Sequence, residues 1–217
     1  MPTDIKAALL DILATHSFKL GDFTLASGAR SDYYIDCRIS TLHAEGGRLS
    51  GLVLYEMIRE FLPQAEAVGG LTMGADPLVS NIASASAWAA ADYKEILEMS
   101  AALELDEDDE PGPEPELIHG FLVRKAEKTH GTGRKIEGFL KPGAQVVIVD
   151  DVCTTGGSTI TAIDAAREAG MVVAGVLCLV DREQGGRARI EAAAGGAPFL
   201  AAFTAGDVRK AHLALKH

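Results

Sequence analysis

Apolar residues recur along this chain with two spacings, one typical of amphipathic helices and the other of buried strands. An apolar stripe with helical spacing opens near Thr3 and closes before Phe18. Its members are Ile5, Ala8, Leu9, Ile12 and Leu13. The other predicted helices span about 45–61, 77–91 and 158–168. A C-terminal helix is expected to follow, with Asp207 as its cap.

Short runs rich in β-branched residues separate these helices and predict strands. The runs lie at 67–70, 117–124, 146–149, 172–180 and 199–203, with two shorter pieces at 23–25 and 33–36. Strands that alternate with helices predict an α/β fold with a mostly parallel sheet flanked by helices. We expect a single domain over 1–217, in which residues 1–40 supply a first helix and a small N-terminal hood.

The composition is that of a folded chain, with 47% hydrophobic and 24% charged residues. No apolar run approaches the roughly 20 residues of a membrane span, and no basic segment followed by an apolar block opens the sequence. We therefore expect neither membrane insertion nor secretion. Cys37, Cys153 and Cys178 fit no disulfide framework or zinc spacing, so a reducing cytoplasm is the expected location.

The net charge of −11 argues against general nucleic-acid binding. Much of this charge is local, because the run 104–116 carries eight acidic residues and no basic one. Acidic residues interspersed with prolines are typical of a solvated loop, so we expect 104–116 to be an insertion outside the core.

The segment Gln145–Thr159, QVVIVDDVCTTGGST, carries the most specific chemistry. A buried apolar strand would place Asp150 and Asp151 at its carboxyl end, where open α/β sheets bind ligands. The small residues that follow leave backbone N–H groups free to bind a phosphate at the start of the next helix. Carboxylates beside a phosphate site suit sugar hydroxyls or a bound cation, so the segment favours a phosphorylated sugar. The alternative is an ordinary strand–turn–helix capped by Ser158 or Thr159.

A second notable segment, 124–135, contains five fixed positive charges and a histidine within twelve residues. Its glycines favour a flexible lid, and we extend that lid over 124–138. Pyrophosphate is the kind of anion that such a lid could stabilise. A solvated basic loop that balances the acidic run is the alternative.

The order of residues in 145–159 resembles the 5-phosphoribosyl-1-pyrophosphate (PRPP) motif of type I phosphoribosyltransferases. That motif consists of four hydrophobic residues, two acids and then Thr154, Thr155, Gly156, Gly157, Ser158 and Thr159. No lysine follows the glycines, so the segment is not a P-loop. By resemblance, Asp150 and Asp151 bind the ribose hydroxyls and 154–159 surrounds the 5′-phosphate.

Three further segments resemble the orotate phosphoribosyltransferase family in particular. The first is Arg124-Lys125-x-x-Lys128-x-His130-Gly131, which resembles the catalytic loop. The second is FTLxSGxxSxYY over 23–34, which resembles the hood, and the third is the strand that ends in Asp181-Arg182. Together with the PRPP motif they cover most of the chain outside the acidic run.

The resemblance implies roles for the residues of these segments. Lys125, Lys128 and His130 would contact pyrophosphate, and Arg124 would contact PRPP, in each case across the interface of a homodimer. Arg182 would bind the carboxylate of orotate, because a guanidinium matches a carboxylate in shape and charge. Tyr33, Tyr34 and Ile35 would pack around the pyrimidine ring. The alternatives are tyrosines that belong to the core and an Arg182 that pairs with Asp181 or Glu183.

The implied activity is Mg²⁺-dependent transfer of phosphoribose from PRPP to orotate, which gives orotidine 5′-monophosphate and pyrophosphate in UMP synthesis. The implied Mg²⁺ is bound mainly through PRPP, without direct protein ligands. Lys125, Lys128 and Asp151 would be the catalytic residues. Two other functions stay open: a phosphoribosyltransferase for a purine base, and a PRPP-binding regulator without catalysis.

Two positions depart from the family pattern. Ala26 stands where the family often has lysine, and the loop that ends at Gly74 has no basic residue where a pyrophosphate-binding lysine is often found. Backbone N–H groups of 71–74 remain available as donors to pyrophosphate.

Overall fold

A central sheet of six strands organises the chain in the computed structural model, which describes residues 4–24, 28, 30–102, 112–125 and 135–215. The strands are β1 Phe18–Thr24, β2 Arg30–Ile35, β3 Ala67–Leu71, β4 His119–Val123, β5 Ile136–Gly138, β6 Gln145–Cys153, β7 Val172–Asp181 and β8 Phe199–Thr204. The helices are α1 Ile5–Ile12, α2 Arg38–Thr41, α3 Ala44–Phe61, α4 Ala75–Ala102, α5 Gly157–Glu168, α6 Gly186–Ala193 and α7 Ala205–Ala214. Among the helices described, none is long and apolar enough to cross a membrane.

The strand order in the sheet is β5-β4-β3-β6-β7-β8. Neighbouring strands from β4 to β8 pair in parallel, and only β5 is antiparallel to its neighbour. This arrangement confirms the predicted α/β fold with a mostly parallel sheet. Because β3, β4, β6 and β7 run in the same direction, the segments that follow them all emerge at one edge of the sheet.

The sheet separates two apolar cores. One core contains side chains of α1, α3, α4 and α7, and the other contains those of α5 and α6. The middle of β6 is buried completely, with Val147 in the first core and Val146 and Ile148 in the second. A strand buried on both faces reads as a continuous run of β-branched residues, which explains the VVIV pattern.

The predicted hood is an antiparallel pair, β1 with β2, in which Phe18 lies opposite Ile35. A short π-helical turn, Leu13–Ser17, joins α1 to this pair. The hydroxyls of Ser17 and Ser40 share a buried hydrogen bond of 2.6 Å, which attaches the base of the hood to α2. The hood is thereby held beside the carboxyl edge of the sheet.

The structure departs from the sequence-based predictions at several elements. α2 was not predicted, and β1 begins at Phe18, five residues before the predicted piece at 23–25. α4 runs eleven residues beyond the predicted end at Ala91, and α6 was not predicted. β5 falls within the segment 124–138 that was predicted as a lid; residues 126–134 of that segment lie outside the described part. Asp207 is not the cap of α7: Thr204 is the N-cap, and Asp207 accepts hydrogen bonds from it at the third helical position.

Candidate active site

A cleft of about 290 Å³ opens at the carboxyl edge of the sheet, between the hood and the ends of β3, β4, β6 and β7. It brings together eight of the residues that the sequence predicted for the site: Tyr34, Ile35, Lys125, Asp150, Asp151, Thr154, Ser158 and Arg182. These residues come from four separate segments, and the parallel strand order is what makes them neighbours.

Two adjacent carboxylates form the floor of the cleft at the end of β6. Asp150 is buried and accepts a 2.6 Å hydrogen bond from the hydroxyl of Thr159. Burial raises the pKa of Asp150, and the neighbouring Asp151 adds to the rise, while the Thr159 hydrogen bond opposes it. Burial also raises the pKa of Asp151. Donors from a bound sugar would stabilise the ionised forms, since hydrogen bonds to a carboxylate favour its charge.

The loop after β3 packs directly against Asp151. A Cβ atom at Gly74 would lie 2.3 Å from Oδ1 of Asp151, which is closer than non-bonded atoms can approach. Glycine at position 74 is therefore what allows this loop and the carboxylate to lie side by side in the cleft.

The helix α5 begins at the cleft without a side-chain cap. Its N-cap residue is Gly156, with φ +80°, and no side chain accepts a hydrogen bond from the first turn. The alternative of a helix capped by Ser158 or Thr159 is therefore wrong. Its first backbone N–H groups have no intrahelical acceptor, which makes this end of the helix an anion site.

Residues of α6 hold the loop before α5 in place. A Cβ atom at Gly156 would lie 2.8 Å from Ile190 in α6, so the left-handed glycine also permits close packing. The carbonyl of Thr155 accepts a 2.7 Å hydrogen bond from Arg189. Thr154 and Ser158 line the cleft, whereas the buried Thr159 hydroxyl is occupied by Asp150.

Arg182 places a buried guanidinium in the wall of the cleft. Only 8% of the residue is exposed, and its Nε–H has no hydrogen-bond partner among the described residues. The guanidinium lies 4.8 Å from the ring centroid of Tyr33, and its Nη2 donates a long 3.4 Å hydrogen bond to Ser31. Asp181 instead accepts from the backbone N–H of Glu183, so the predicted alternative of a pair between Arg182 and either acid is not formed.

The two hood tyrosines have different positions. Tyr34 lines the cleft together with Ile35. Tyr33 stacks between Phe18, at 5.4 Å, and the guanidinium of Arg182, so it lies behind the arginine. Consecutive strand residues point to opposite faces, which accounts for the difference.

Lys125 lines the cleft from the segment that follows β4. Arg124 forms a 3.1 Å ion pair with Glu137 of β5 and does not line the cleft. Lys128, His130 and Ala26 lie outside the described residues.

Sequence reasoning missed a charged pair in the cleft, Asp36 and Arg38 at the end of the hood. Asp36 accepts from Nε and Nη2 of Arg38 at 2.8 and 2.7 Å. The Arg38 hydrogen bonds lower the pKa of Asp36. The signal in the sequence was Asp-x-Arg directly after the predicted hood strand, where an ion pair is easily mistaken for an ordinary solvated turn.

One comparison with known proteins identifies the domain family. Residues 121–195, from β4 through α6, match the phosphoribosyl transferase domain family. This stretch contains both carboxylates, the loop before α5 and Arg182.

Relatives that align with most of this chain define the enzyme family. The chain is 39% identical over 209 residues to orotate phosphoribosyltransferase from Synechocystis sp., covering 96% of this chain and 90% of the relative. It is 40% identical over 186 residues to the enzyme of that name from Aquifex aeolicus, covering 84% and 87%. The chain belongs to the orotate phosphoribosyltransferase family.

Solved structures agree with this assignment. Orotate phosphoribosyltransferase from Mycobacterium tuberculosis, in complex with Fe(III) dicitrate, superposes with a TM-score of 0.70 at 32% identity, over 94% of this chain and 98% of that chain. The same enzyme in complex with PRPP gives a TM-score of 0.67 at 29% identity, over 94% and 99%.

Proposed function

We propose that this protein transfers the 5-phosphoribosyl group of PRPP to orotate and releases pyrophosphate, the orotidine 5′-monophosphate-forming step of pyrimidine biosynthesis. One observation carries the choice of base. The buried guanidinium of Arg182 lacks a carboxylate partner in the described structure, and it lies in the same cleft as the ribose-phosphate features. Orotate carries a carboxylate on its pyrimidine ring, and a neutral purine carries none.

The ribose 5-phosphate portion of PRPP fits the floor of the cleft. The uncapped start of α5 and the hydroxyls of Thr154 and Ser158 would hold the 5′-phosphate. Asp150 and Asp151 would accept hydrogen bonds from the ribose hydroxyls, with Thr159 holding Asp150 in place. In this proposal the Thr159 hydroxyl supports Asp150 through the 2.6 Å hydrogen bond.

Departure of pyrophosphate needs positive charge near the loop 71–74. Breaking the bond to the anomeric carbon develops positive charge on the sugar and negative charge on the leaving group. Lys125 lines the cleft and would stabilise that negative charge, together with Lys128 and His130 of the same basic segment. The nitrogen of orotate would then attack the anomeric carbon, with the protein supplying position and charge and forming no covalent bond.

Mg²⁺ is part of the proposal, carried mainly by PRPP. The described residues include no cluster of three or more histidine, cysteine or acidic side chains able to hold a metal ion. The adjacent carboxylates Asp150 and Asp151 fit a cation that is already bound to PRPP oxygens, because hard oxygen ligands suit Mg²⁺. When bound, the ion would neutralise charge on the pyrophosphate.

We propose a homodimer in which Arg124, Lys128 and His130 reach the neighbouring cleft, whereas Lys125 lines the cleft of its own subunit. Exposed apolar side chains at the end of α2 and on α4 mark the candidate interface: Leu42, which follows α2, is 73% exposed, and Trp88 of α4 is 71% exposed. The two helices are joined where Asn81 donates to the carbonyl of Thr41 at 3.3 Å, and Trp88 lies two helical turns beyond Asn81. A second copy would cover large apolar side chains that water now contacts.

A reducing cytoplasm is the proposed location, because the three cysteines are buried as free thiols.

The test is a panel of acceptors. Purified protein is incubated with PRPP, Mg²⁺ and one base at a time under reducing conditions, and ultraviolet absorbance follows loss of the base. We expect orotate to be consumed and adenine, guanine and hypoxanthine to be untouched. Consumption of a purine in preference to orotate would overturn the choice of base, and consumption of no base would favour a regulator that binds PRPP without catalysis.

A further inference from the structure

Arg38 lines the cleft and is oriented there by Asp36, although none of the roles above requires it. Its Nε and Nη2 donate to the two oxygens of Asp36, and its backbone N–H donates to Oδ1 of the same carboxylate at 3.1 Å. Its Nη1 has no hydrogen-bond partner in the described part of the chain. The residue therefore presents a fixed guanidinium edge with free N–H groups.

Arg38 shares the cleft with Asp151 and the loop after β3. The positive charge of Arg38 opposes the rise in the pKa of Asp151, so the two side chains are electrostatic neighbours. Asp151 in turn lies against Gly74 of the loop 71–74. Arg38 and the loop 71–74 therefore line the same cleft, as do Thr154 and Ser158 of the segment that starts α5.

The acidic residues of the cleft need a positive charge beside them if the cleft is to bind an anion. The loop 71–74 contains no basic residue, and Asp36, Asp150 and Asp151 all line the same cleft. Of the described residues that line it, three carry a fixed positive charge: Arg38, Lys125 and Arg182. Arg182 is buried in the wall against Tyr33, which leaves Arg38 as the guanidinium of the cleft that is accessible, with 45% of its side chain exposed.

We propose that Arg38 binds the diphosphate group of PRPP, and the pyrophosphate product, through its free N–H groups, with Asp36 as the residue that positions it. This inference rests on the proposed function, since it takes PRPP as the ligand. Arg38 would supply the charge that a lysine in the loop 71–74 would otherwise provide. Guanidinium N–H groups suit phosphate oxygens in both charge and geometry.

Binding of inorganic pyrophosphate with Mg²⁺, measured by calorimetry, tests the proposal. We expect Arg38→Ala to weaken this binding at least about tenfold, the effect of losing one charge-assisted hydrogen bond. Ribose 5-phosphate should bind within about twofold of wild type, because it lacks the diphosphate. Arg48→Ala is the matched control: Arg48 forms the same two-point pair with Glu45, at 2.8 and 2.6 Å, and does not line the cleft.

A double variant separates binding from simple neutralisation of Asp36. Asp36→Asn with Arg38→Gln removes both charges and leaves the net charge of the cleft unchanged. Weak pyrophosphate binding in this variant supports direct contact by Arg38. Binding restored to the wild-type level would overturn it, as would equal affinities in wild type and Arg38→Ala, or no pyrophosphate binding by wild type. Orotate consumption is measured separately, so a failure of Arg38 and a failure of the proposed reaction remain distinguishable.

Discussion

Replacing Arg182 by methionine should abolish recognition of orotate while leaving the fold as stable as before, or more stable. Methionine keeps much of the length and packing of the side chain and removes the guanidinium. A hydrogen bond to a charged group contributes about 1.5–3 kcal/mol, and a carboxylate accepts two such bonds from a guanidinium. We therefore expect a loss of roughly 3–6 kcal/mol, which lowers kcat/KM for orotate by about 10²–10⁴-fold. The KM for PRPP should stay within about twofold.

The effect on stability follows from the absence of a carboxylate partner. A buried charge without a paired opposite charge costs several kcal/mol of desolvation. Methionine removes that cost, but it also loses the contact with the Tyr33 ring at 4.8 Å, about 1–2 kcal/mol. The melting temperature should therefore be unchanged or higher by about 2–4 °C per kcal/mol gained.

Arg187→Met provides the contrast. Arg187 donates to the carbonyl of Phe199 at 2.8 Å and lies over its ring, outside the cleft, with its side chain half exposed. We expect this variant to lose about 1 kcal/mol of stability and to keep wild-type kinetics. Steady-state assays with orotate and thermal unfolding measure both properties. Arg182→Met with kcat/KM for orotate within threefold of wild type would refute the assignment of Arg182.

Three other predictions follow from the cleft and its surroundings. Burial raises the pKa of Asp150, so the folded state keeps a proton on this carboxyl that the unfolded state releases. The stability of the unliganded protein should therefore fall as pH rises from the ordinary carboxyl pKa, about 3.9, through the raised pKa. Ribose 5-phosphate should bind more tightly as pH rises over the same window and release protons on binding; a pH-independent affinity that is unaltered in Asp150→Asn would contradict this. Gly74→Ala should weaken PRPP binding at least tenfold in direct titration, because its Cβ would displace Asp151, whereas Gly206→Ala in α7 meets only an ordinary 3.5 Å contact and serves as the control. Trp88, the sole tryptophan, should shift its fluorescence to shorter wavelength as the protein is concentrated into dimers, and an emission spectrum that stays constant while light scattering reports dimerisation would exclude α4 from the interface.

The elements with strong periodicity could be predicted from the sequence. The run VVIV predicted β6, since a strand buried on both faces must be apolar throughout. The apolar stripe of α3 predicted its bounds to within one residue at the start, because an amphipathic helix of that length repeats its pattern several times.

The missed elements lack such repetition. β5 has three residues, too few for a period to show. α6 contains one large apolar residue, Ile190, so no stripe marks it. The last turns of α4 carry no buried residue after Ala90, and the helix continues there on its intrinsic propensity.

The candidate site likewise contains residues that the sequence predicts and residues that only the fold brings together. Asp150, Asp151 and the loop before α5 are consecutive in the chain, so a motif was enough to find them. The support of Arg182 by Tyr33 joins positions 149 residues apart, and only the fold brings them together. Asp36 and Arg38 were missed because an ion pair between near neighbours looks the same in sequence whether or not it faces a ligand.

In the proposed reaction, one cleft uses PRPP to convert orotate into its ribonucleotide. The most direct measurement follows orotate and pyrophosphate together in a single reaction of the wild-type protein with PRPP and Mg²⁺. We expect one pyrophosphate to be released for each orotate consumed, with no release when orotate is omitted. Release of pyrophosphate at the same rate without orotate, or no loss of orotate at all, would contradict the proposed transfer.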